Sequence, residues 1–139
     1  GKKTNRQWVW IALDAATRYL VERQAFGAPL AEQQGLRFML AEMARDVAAA
    51  RALTRDAARA KDRGESIAVA SSLAKWTASD TAMRVATDAV QLLGATGYSR
   101  ETGLERLMRD AKGAQIYEGT NQIHRMIVAD DLFRSLAPG

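Results

Sequence analysis

The sequence predicts an all-α protein, an antiparallel four-helix up-down bundle whose last helix is interrupted by a loop. Three observations predict it. Alanine, leucine, arginine and methionine dominate the composition, and all four are good helix formers. Apolar residues recur at spacings of three and four along the long segments. The ten glycines and two prolines fall mainly between those periodic segments, where they end helices rather than weaken them. The chain has 139 residues, enough for one domain with a real core and too few for two ordinary ones.

The first helix is expected from near Asn5 to Arg23, with Trp8, Ile11, Ala12, Ala15, Tyr19 and Leu20 at helical spacing. Two tryptophans, Trp8 and Trp10, stand near its start. Either they close one end of the bundle, or they pack on something else. Gly1-Lys2-Lys3-Thr4 is polar and reads as an appended remnant or a frayed tail, leaving 5–139 as the domain. Gly27 is expected to end the helix and Pro29 to stop its continuation. Arg23 and Phe26 then share a corner. They read either as a surface Arg–Glu pair and a core phenylalanine, or as an anion fork beside a ring that suits a phosphate-bearing planar ligand.

The second helix runs from Gln33 to about Lys61, with Leu36, Leu40, Met43, Val47, Ala50, Thr54 and Ala57 on its inner face. Asp62-Arg63-Gly64-Glu65 forms a turn, and Ser66 is the expected N-cap of the third helix. That helix spans about Ile67 to Leu93, lined by Val69, Leu73, Trp76, Ser79, Met83, Ala86, Val90 and Leu93. Gly94 and Gly97 end it, and the spacing does not fit a dinucleotide fingerprint. Gln91 stands polar among apolar neighbours, as a ligand or partner contact or as a boundary side chain bonded to the turn.

The fourth segment carries Leu104, Leu107, Met108 and Ala111 on one face. Glu105 and Arg109, four apart, can pair along the helix, or Arg109 or Asp110 can instead fasten the following loop; either role is structural. After that loop, Ile123, Met126, Ile127, Phe133 and Leu136 give the last apolar face.

Composition excludes several chemistries. There is no cysteine and only one histidine, His124, which removes disulfides, thiol catalysis and a histidine-rich metal centre. The net charge of +4 is modest and its arginines are scattered among acids, which gives no support to a nucleic-acid partner. No stretch approaches membrane-spanning length and no secretory signal is present. A soluble, cytoplasmic protein is the expectation.

The loop Ile116-Tyr117-Glu118-Gly119-Thr120-Asn121-Gln122 holds the one arrangement that points to chemistry. Thr120 can cap the last helix, whose free N–H groups face back toward Glu118. A carboxylate at a short break between rigid elements is placed to act as a base, or is a solvated or capping residue. Residue pattern alone does not choose between these.

Several separated motifs, in order, resemble the C-terminal helical domain of the acyl-CoA dehydrogenases over about Leu13 to Leu136. They are Glu22-Arg23 with Phe26-Gly27, Gln34 with Phe38-Met39-Leu40-Ala41-Glu42-Met43, Lys75, Gln91-Leu92-Leu93-Gly94 with Gly97-Tyr98, Arg109-Asp110-Ala111-Lys112, and Ile116-Tyr117-Glu118-Gly119-Thr120. Each is weak alone; together they are specific. The resemblance implies an FAD-dependent α,β-dehydrogenation of an acyl-CoA thioester. Glu118 would remove the α proton while the β hydrogen leaves as hydride to flavin N5. It further implies that Arg23 and Phe26 hold the phosphate and adenine side of a neighbouring subunit's flavin, approached also by Gln91 and Gly94. Thr120 and Gln122 would touch the flavin of the subunit's own site, and Tyr117 and Gly119 would shape the acyl end. Arg109 and Asp110 match a structural pair. A homodimer or homotetramer and a flavin-linked electron acceptor are the partners implied.

The family also places a helical domain and a β domain ahead of this one. The expectation is therefore a fragment or one piece of a split enzyme, inactive alone. Position 95 is alanine where the family commonly has a second glycine, tolerable if the backbone there needs no positive φ. Two alternatives stand beside the main reading: a non-catalytic assembly subunit of a split flavoenzyme, and a relative that oxidises a substrate other than a fatty acyl thioester.

Overall fold

A computed structural model of the chain describes residues 6–136. The readings placed on 1–5, on 137–139 and on the Trp8 side chain lie outside the described residues. Three long helices come first, α1 (Arg6–Glu22), α2 (Gln34–Asp62) and α3 (Ala68–Leu93). A one-turn α4 (Ala95–Tyr98) follows, then α5 (Leu104–Ala114) and α6 (Asn121–Leu136). The predicted all-helical class holds, and the break expected at Glu118 separates α5 from α6. Short connections fold each long helix back on the one before it, so α1 and α3 run in the same sense.

α3 is the centre of the molecule. It packs against α1, α2, α5 and α6, and it is buried on more than the single face expected. Ser72, Ala74, Thr81, Val85, Ala89 and Leu92 are buried along with the expected Ser79, Ala86 and Leu93. Four neighbours leave the rod only a narrow solvent stripe, at Arg84, Thr87 and Gln91, so a one-face reading undercounts its core. Its buried residues are mostly small, which lets the surrounding helices approach closely. Leu20, Met43, Val85 and Leu104 are fully buried between these rods.

The inner face read for α2 holds: Met43, Val47 and Ala50 are buried, with Leu36, Leu40, Thr54 and Ala57 half-buried. On α1, Leu13 and Ala16 join Ala12 and Leu20 in the core, whereas Ile11 is exposed. The last helix departs most. Ile127 is half-buried, but Ile123, Met126, Phe133 and Leu136 are exposed. Among the described residues α6 lies mainly against α3, and that contact is too narrow to cover its apolar face.

Three local expectations are corrected. First, α1 stops at Glu22, and Gly27 sits in a two-residue hairpin joining β1 (Gln24–Ala25) to β2 (Ala28–Pro29), with Ala25 opposite Ala28. Phe26 and Gly27 both have positive φ, 54° and 83°, the signature of a type I′ turn, whose twist matches that of the strands. Second, the N-cap of α3 is Ile67 rather than Ser66, and Ser71 N–H donates to the Ile67 carbonyl at 2.7 Å. Third, the ion pair on α5 is Arg106 with Asp110 at 3.7 Å, not Glu105 with Arg109.

Candidate active site

The loop between α5 and α6 is closed by its own backbone. Ile116 and Tyr117 N–H groups donate to the Gly113 carbonyl at 2.9 and 3.1 Å. Asn121 N–H donates back to the Gln115 carbonyl at 3.2 Å, bringing the two ends of the loop together. Within that ring Glu118 has φ 53° and Gly119 φ 89°. A left-handed conformation at a residue with a Cβ costs about 1–2 kcal/mol, so something must hold Glu118 there. Gly119 is required for two reasons. Its φ suits only glycine well, and a Cβ would meet Nε2 of His124 at 3.1 Å. The Tyr117 ring lies against Gly113, whose Cβ would stand 3.3 Å from Cε1 of that ring. Thr120 contributes its carbonyl, which accepts from His124 N–H at 3.3 Å and starts α6.

α3 supplies what holds the loop. Lys75 Nζ donates to the Gly119 carbonyl at 2.7 Å and to Oδ1 of Asn121 at 3.1 Å. Ser79, one turn on, donates its hydroxyl to the same Asn121 oxygen at 2.9 Å. Asp80 takes both ends of the loop on one carboxylate oxygen, accepting from Gln115 Nε2 at 2.6 Å and from Asn121 Nδ2 at 2.7 Å. Its other oxygen accepts from the Trp76 indole N–H at 2.8 Å. The Arg125 guanidinium lies 4.8 Å from the Trp76 ring centroid and pairs with Asp80 at 3.7 Å. Burial pushes the Lys75 ammonium below its ordinary range, against the opposing pull of Asp80 and Glu118. Beneath Gly119, His124 Nδ1 meets the Ser72 hydroxyl at 3.2 Å, and its Nε2 is buried without a partner.

The fastening expected from Arg109 or Asp110 therefore falls to Lys75 and Asp80. Arg109 is exposed. Asp110 instead borders a cavity of about 500 Å³ together with Glu118 and Tyr117. Its walls are Trp10 of α1, Arg51, Thr54 and Arg55 of α2, and Lys75, Ser79 and a run of alanines on α3 and α5. Trp10 stands at the rim with the Arg51 guanidinium 4.5 Å from its ring centroid. Glu118 is exposed and borders this alanine-lined cavity, within reach of a molecule bound there, as a general base must be.

The remaining expected site residues lie elsewhere. Arg23 is exposed and no carboxylate pairs with it among the described residues. Phe26 is 94% exposed, which rules out the core-phenylalanine reading. Gln91 is exposed, and it is its carbonyl that bonds the turn, accepting from Gly94 N–H at 3.1 Å. Gly94 carries φ 59° whereas Ala95 needs no positive φ, so alanine is accommodated there. At 1.5 Å per residue, Gly94 lies about 28 Å along α3 from Lys75. The hairpin of Arg23 and Phe26 is toward that same far end, because α1 and α3 run in the same sense. The structure thus gathers Tyr117, Glu118, Gly119 and Thr120 at one end of the bundle, with Gln122 exposed on the first turn of α6. Arg23, Phe26, Gln91 and Gly94 belong to the other.

Comparison with known proteins decides the family. The model of the acyl-CoA dehydrogenase C-terminal domain matches residues 11–133. The chain belongs to the acyl-CoA dehydrogenase family. Over 117 residues, 84% of this chain and 31% of the relative, it is 56% identical to cyclohex-1-ene-1-carbonyl-CoA dehydrogenase of Geobacter metallireducens. The solved butyryl-CoA dehydrogenase of Megasphaera elsdenii superposes with a TM-score of 0.91 at 44% identity, covering 94% of this chain and 34% of that one. A chain from the structure of the electron transferring flavoprotein of Acidaminococcus fermentans superposes with a TM-score of 0.90 at 45% identity, again covering 94% and 34%. This acyl-CoA dehydrogenase domain therefore spans about a third of the length of the relatives it matches. Among its described residues no helix is long and apolar enough to cross a membrane.

Sequence reasoning found Glu118 and its neighbours but missed Asp80, Asn121, Gln115 and Ser79 as the frame of the acyl-CoA dehydrogenase loop. One signal was available. Lys75 and Ser79, and Trp76 and Asp80, are i,i+4 pairs that put four hydrogen-bonding side chains on the inner side of a core helix, where each needs a partner.

Proposed function

We propose that the complete protein carrying this domain is an FAD-dependent acyl-CoA dehydrogenase in which Glu118 removes the α proton of an acyl-CoA thioester. The observation that carries the reading is the placement of Glu118. It is held at an unfavourable φ of 53° on the edge of a cavity of about 500 Å³. Backbone strain at a carboxylate residue, maintained by hydrogen bonds from a core helix, is a mark of a working site.

The chain's own surface fits the cofactor. Arg23 offers an unpaired guanidinium, Phe26 a fully presented ring on a rigid turn, and Gly94 a backbone with open space where a side chain would be. These groups, with Gln91, suit the phosphates and adenine of FAD. Thr120 and Gln122 suit the flavin beside Glu118. The separation of about 28 Å between the two ends supports assigning them to different flavins, and hence a homodimer or homotetramer. When bound, FAD supplies the two-electron acceptor for the β hydride.

This domain's residues do the rest. The alanine-lined cavity wall would keep water from the reaction once flavin and substrate fill it, while Glu118, exposed in the chain alone, takes the proton. Tyr117 and Gly119 shape the space at the thioester end. The apolar side chains exposed on α6, Ile123, Met126, Phe133 and Leu136, are in keeping with coverage by another subunit. A flavin-linked acceptor would then reoxidise the enzyme, as the similarity to a chain in an electron transferring flavoprotein structure suggests.

The 56% identity to a dehydrogenase named for a cyclic CoA ester favours a second reading of the substrate: a ring-bearing acyl group in place of a linear fatty one. Anaerobic flavin reduction by a panel of linear and cyclic CoA thioesters separates the two. In the same assay Glu118→Gln should keep its flavin and lose about 10²–10⁴ in reduction rate. A variant that reduces its flavin near the wild-type rate would remove Glu118 from the role.

A further inference from the structure

The loop that carries Glu118 is held from α3 by Lys75, Ser79 and Asp80, which meet it at Gly119, Asn121 and Gln115. Asn121 is 3% exposed and uses both ends of its amide. Its oxygen faces two donors, Lys75 and Ser79, and its nitrogen faces the carboxylate of Asp80. Reversing the amide would set donor against donor and acceptor against acceptor, so its orientation is fixed by charge. Lys75 spans from Asn121 to the carbonyl of Gly119, the residue directly after the base. A carbonyl fixed by a charged donor cannot rotate without breaking a charge-assisted bond. That carbonyl belongs to the Gly119–Thr120 peptide, so fixing it fixes the backbone immediately after the left-handed Glu118–Gly119 pair.

A loop that needed only to be closed has cheaper means. The backbone bond from Asn121 to Gln115 already closes it, and an apolar side chain would fill the Lys75 position without burying an ammonium. The half-buried charge is directed at the peptide that follows the left-handed Glu118–Gly119 pair. Building on the reading of Glu118 as that base, we propose that Lys75 and Asn121 are positioning residues of the reaction. Through the Gly119 carbonyl, and anchored on Ser79 and Asp80, they fix where the Glu118 carboxylate meets the substrate's α carbon.

The test uses the complete flavoprotein. Lys75→Met, Lys75→Arg, Ser79→Ala and Glu118→Gln are compared for flavin content, thioester affinity, rate of flavin reduction, and exchange of the substrate's α proton into D2O. Lys75→Met should retain flavin and bind thioester within about threefold of wild type, while reduction and α-proton exchange fall together by about 100-fold, within the range a displaced base loses. Lys75→Arg, which can still reach the carbonyl, should recover part of both rates. Lys75→Ala should regain rate on addition of propylammonium and not of an uncharged alcohol of equal size. Wild-type rates in flavin-loaded Lys75→Met overturn the proposal, as does a loss that falls on affinity and flavin content alone. Should Lys75→Met fail to fold, Ser79→Ala decides: a roughly fivefold loss of rate at unchanged affinity supports the proposal, and an unchanged rate overturns it. Glu118→Gln separates the two layers. If it is fast, the base itself is misassigned; if it is slow while Lys75→Met is fast, only the positioning role fails.

Discussion

Replacing Gly119 with alanine tests the geometry of the loop without reference to any reaction. The backbone there has φ 89°, and an added Cβ would lie 3.1 Å from Nε2 and 3.5 Å from Cε1 of His124. The ring has little room to retreat, because Nδ1 is tied to the Ser72 hydroxyl at 3.2 Å and Nε2 is enclosed. Two costs add. The strained φ contributes about 1–2 kcal/mol, and pressing a methyl into a packed site contributes about 1–3 kcal/mol. Gly119→Ala should therefore destabilise the chain by about 2–5 kcal/mol, measured as a lowered urea midpoint at constant m. A double-mutant cycle with His124→Ala divides the two. Removing the ring should leave only the backbone cost, giving a coupling of about 1–3 kcal/mol between the positions. A loss below half a kcal/mol, or a coupling of zero, would refute the packing of His124 beneath this turn.

Two further outcomes follow from local strain and charge. Phe26→Asn places an Asn-Gly pair in a turn whose residues both have positive φ; it should stabilise the chain by about 0.5–1 kcal/mol in urea denaturation, yet weaken flavin retention in the complete protein. Asp88 has its carboxyl pushed up, first by burial, against the Arg84 guanidinium and with Glu42 and Asp46 adding to the rise. Its ionised form thus costs stability at neutral pH, and the cost disappears as pH falls through the raised pKa toward the ordinary carboxylate value. Asp88→Asn should match or exceed wild type by about half a kcal/mol at pH 7, and the gap should close in acid. A midpoint that drops at pH 7 would show that the pairing with Arg84 outweighs burial.

The long helices were legible because burial imposes a period on them. α2 met its expected face residue by residue, since one side lies against α1 and α3 and the other is in water. α3 was harder, because enclosure on most sides weakens the contrast that periodicity reads. The hairpin at Phe26 was illegible for a different reason: its first turn residue is an aromatic where asparagine or glycine would signal a type I′ turn. Glu118 could be placed at a break, but its conformation could not, because the force that holds it comes from Lys75 and Asp80, more than thirty-five residues away. Contacts of that range leave no local trace. The face of α6 misled because an apolar stripe says that something will cover it and not what does.

One rod, α3, carries the anchor of the carboxylate near its first turns and the Gln91–Gly94 corner at its tip. In a helix, gaining or losing one residue swings everything beyond it by about 100° and slides it by about 1.5 Å. A single deletion between Ser79 and Gln91 would leave either end intact in isolation, yet point the two in different directions. An added residue in the turns leaves that bearing intact, whereas α3 behaves as a ruler whose residue count sets the relative bearing of its two ends.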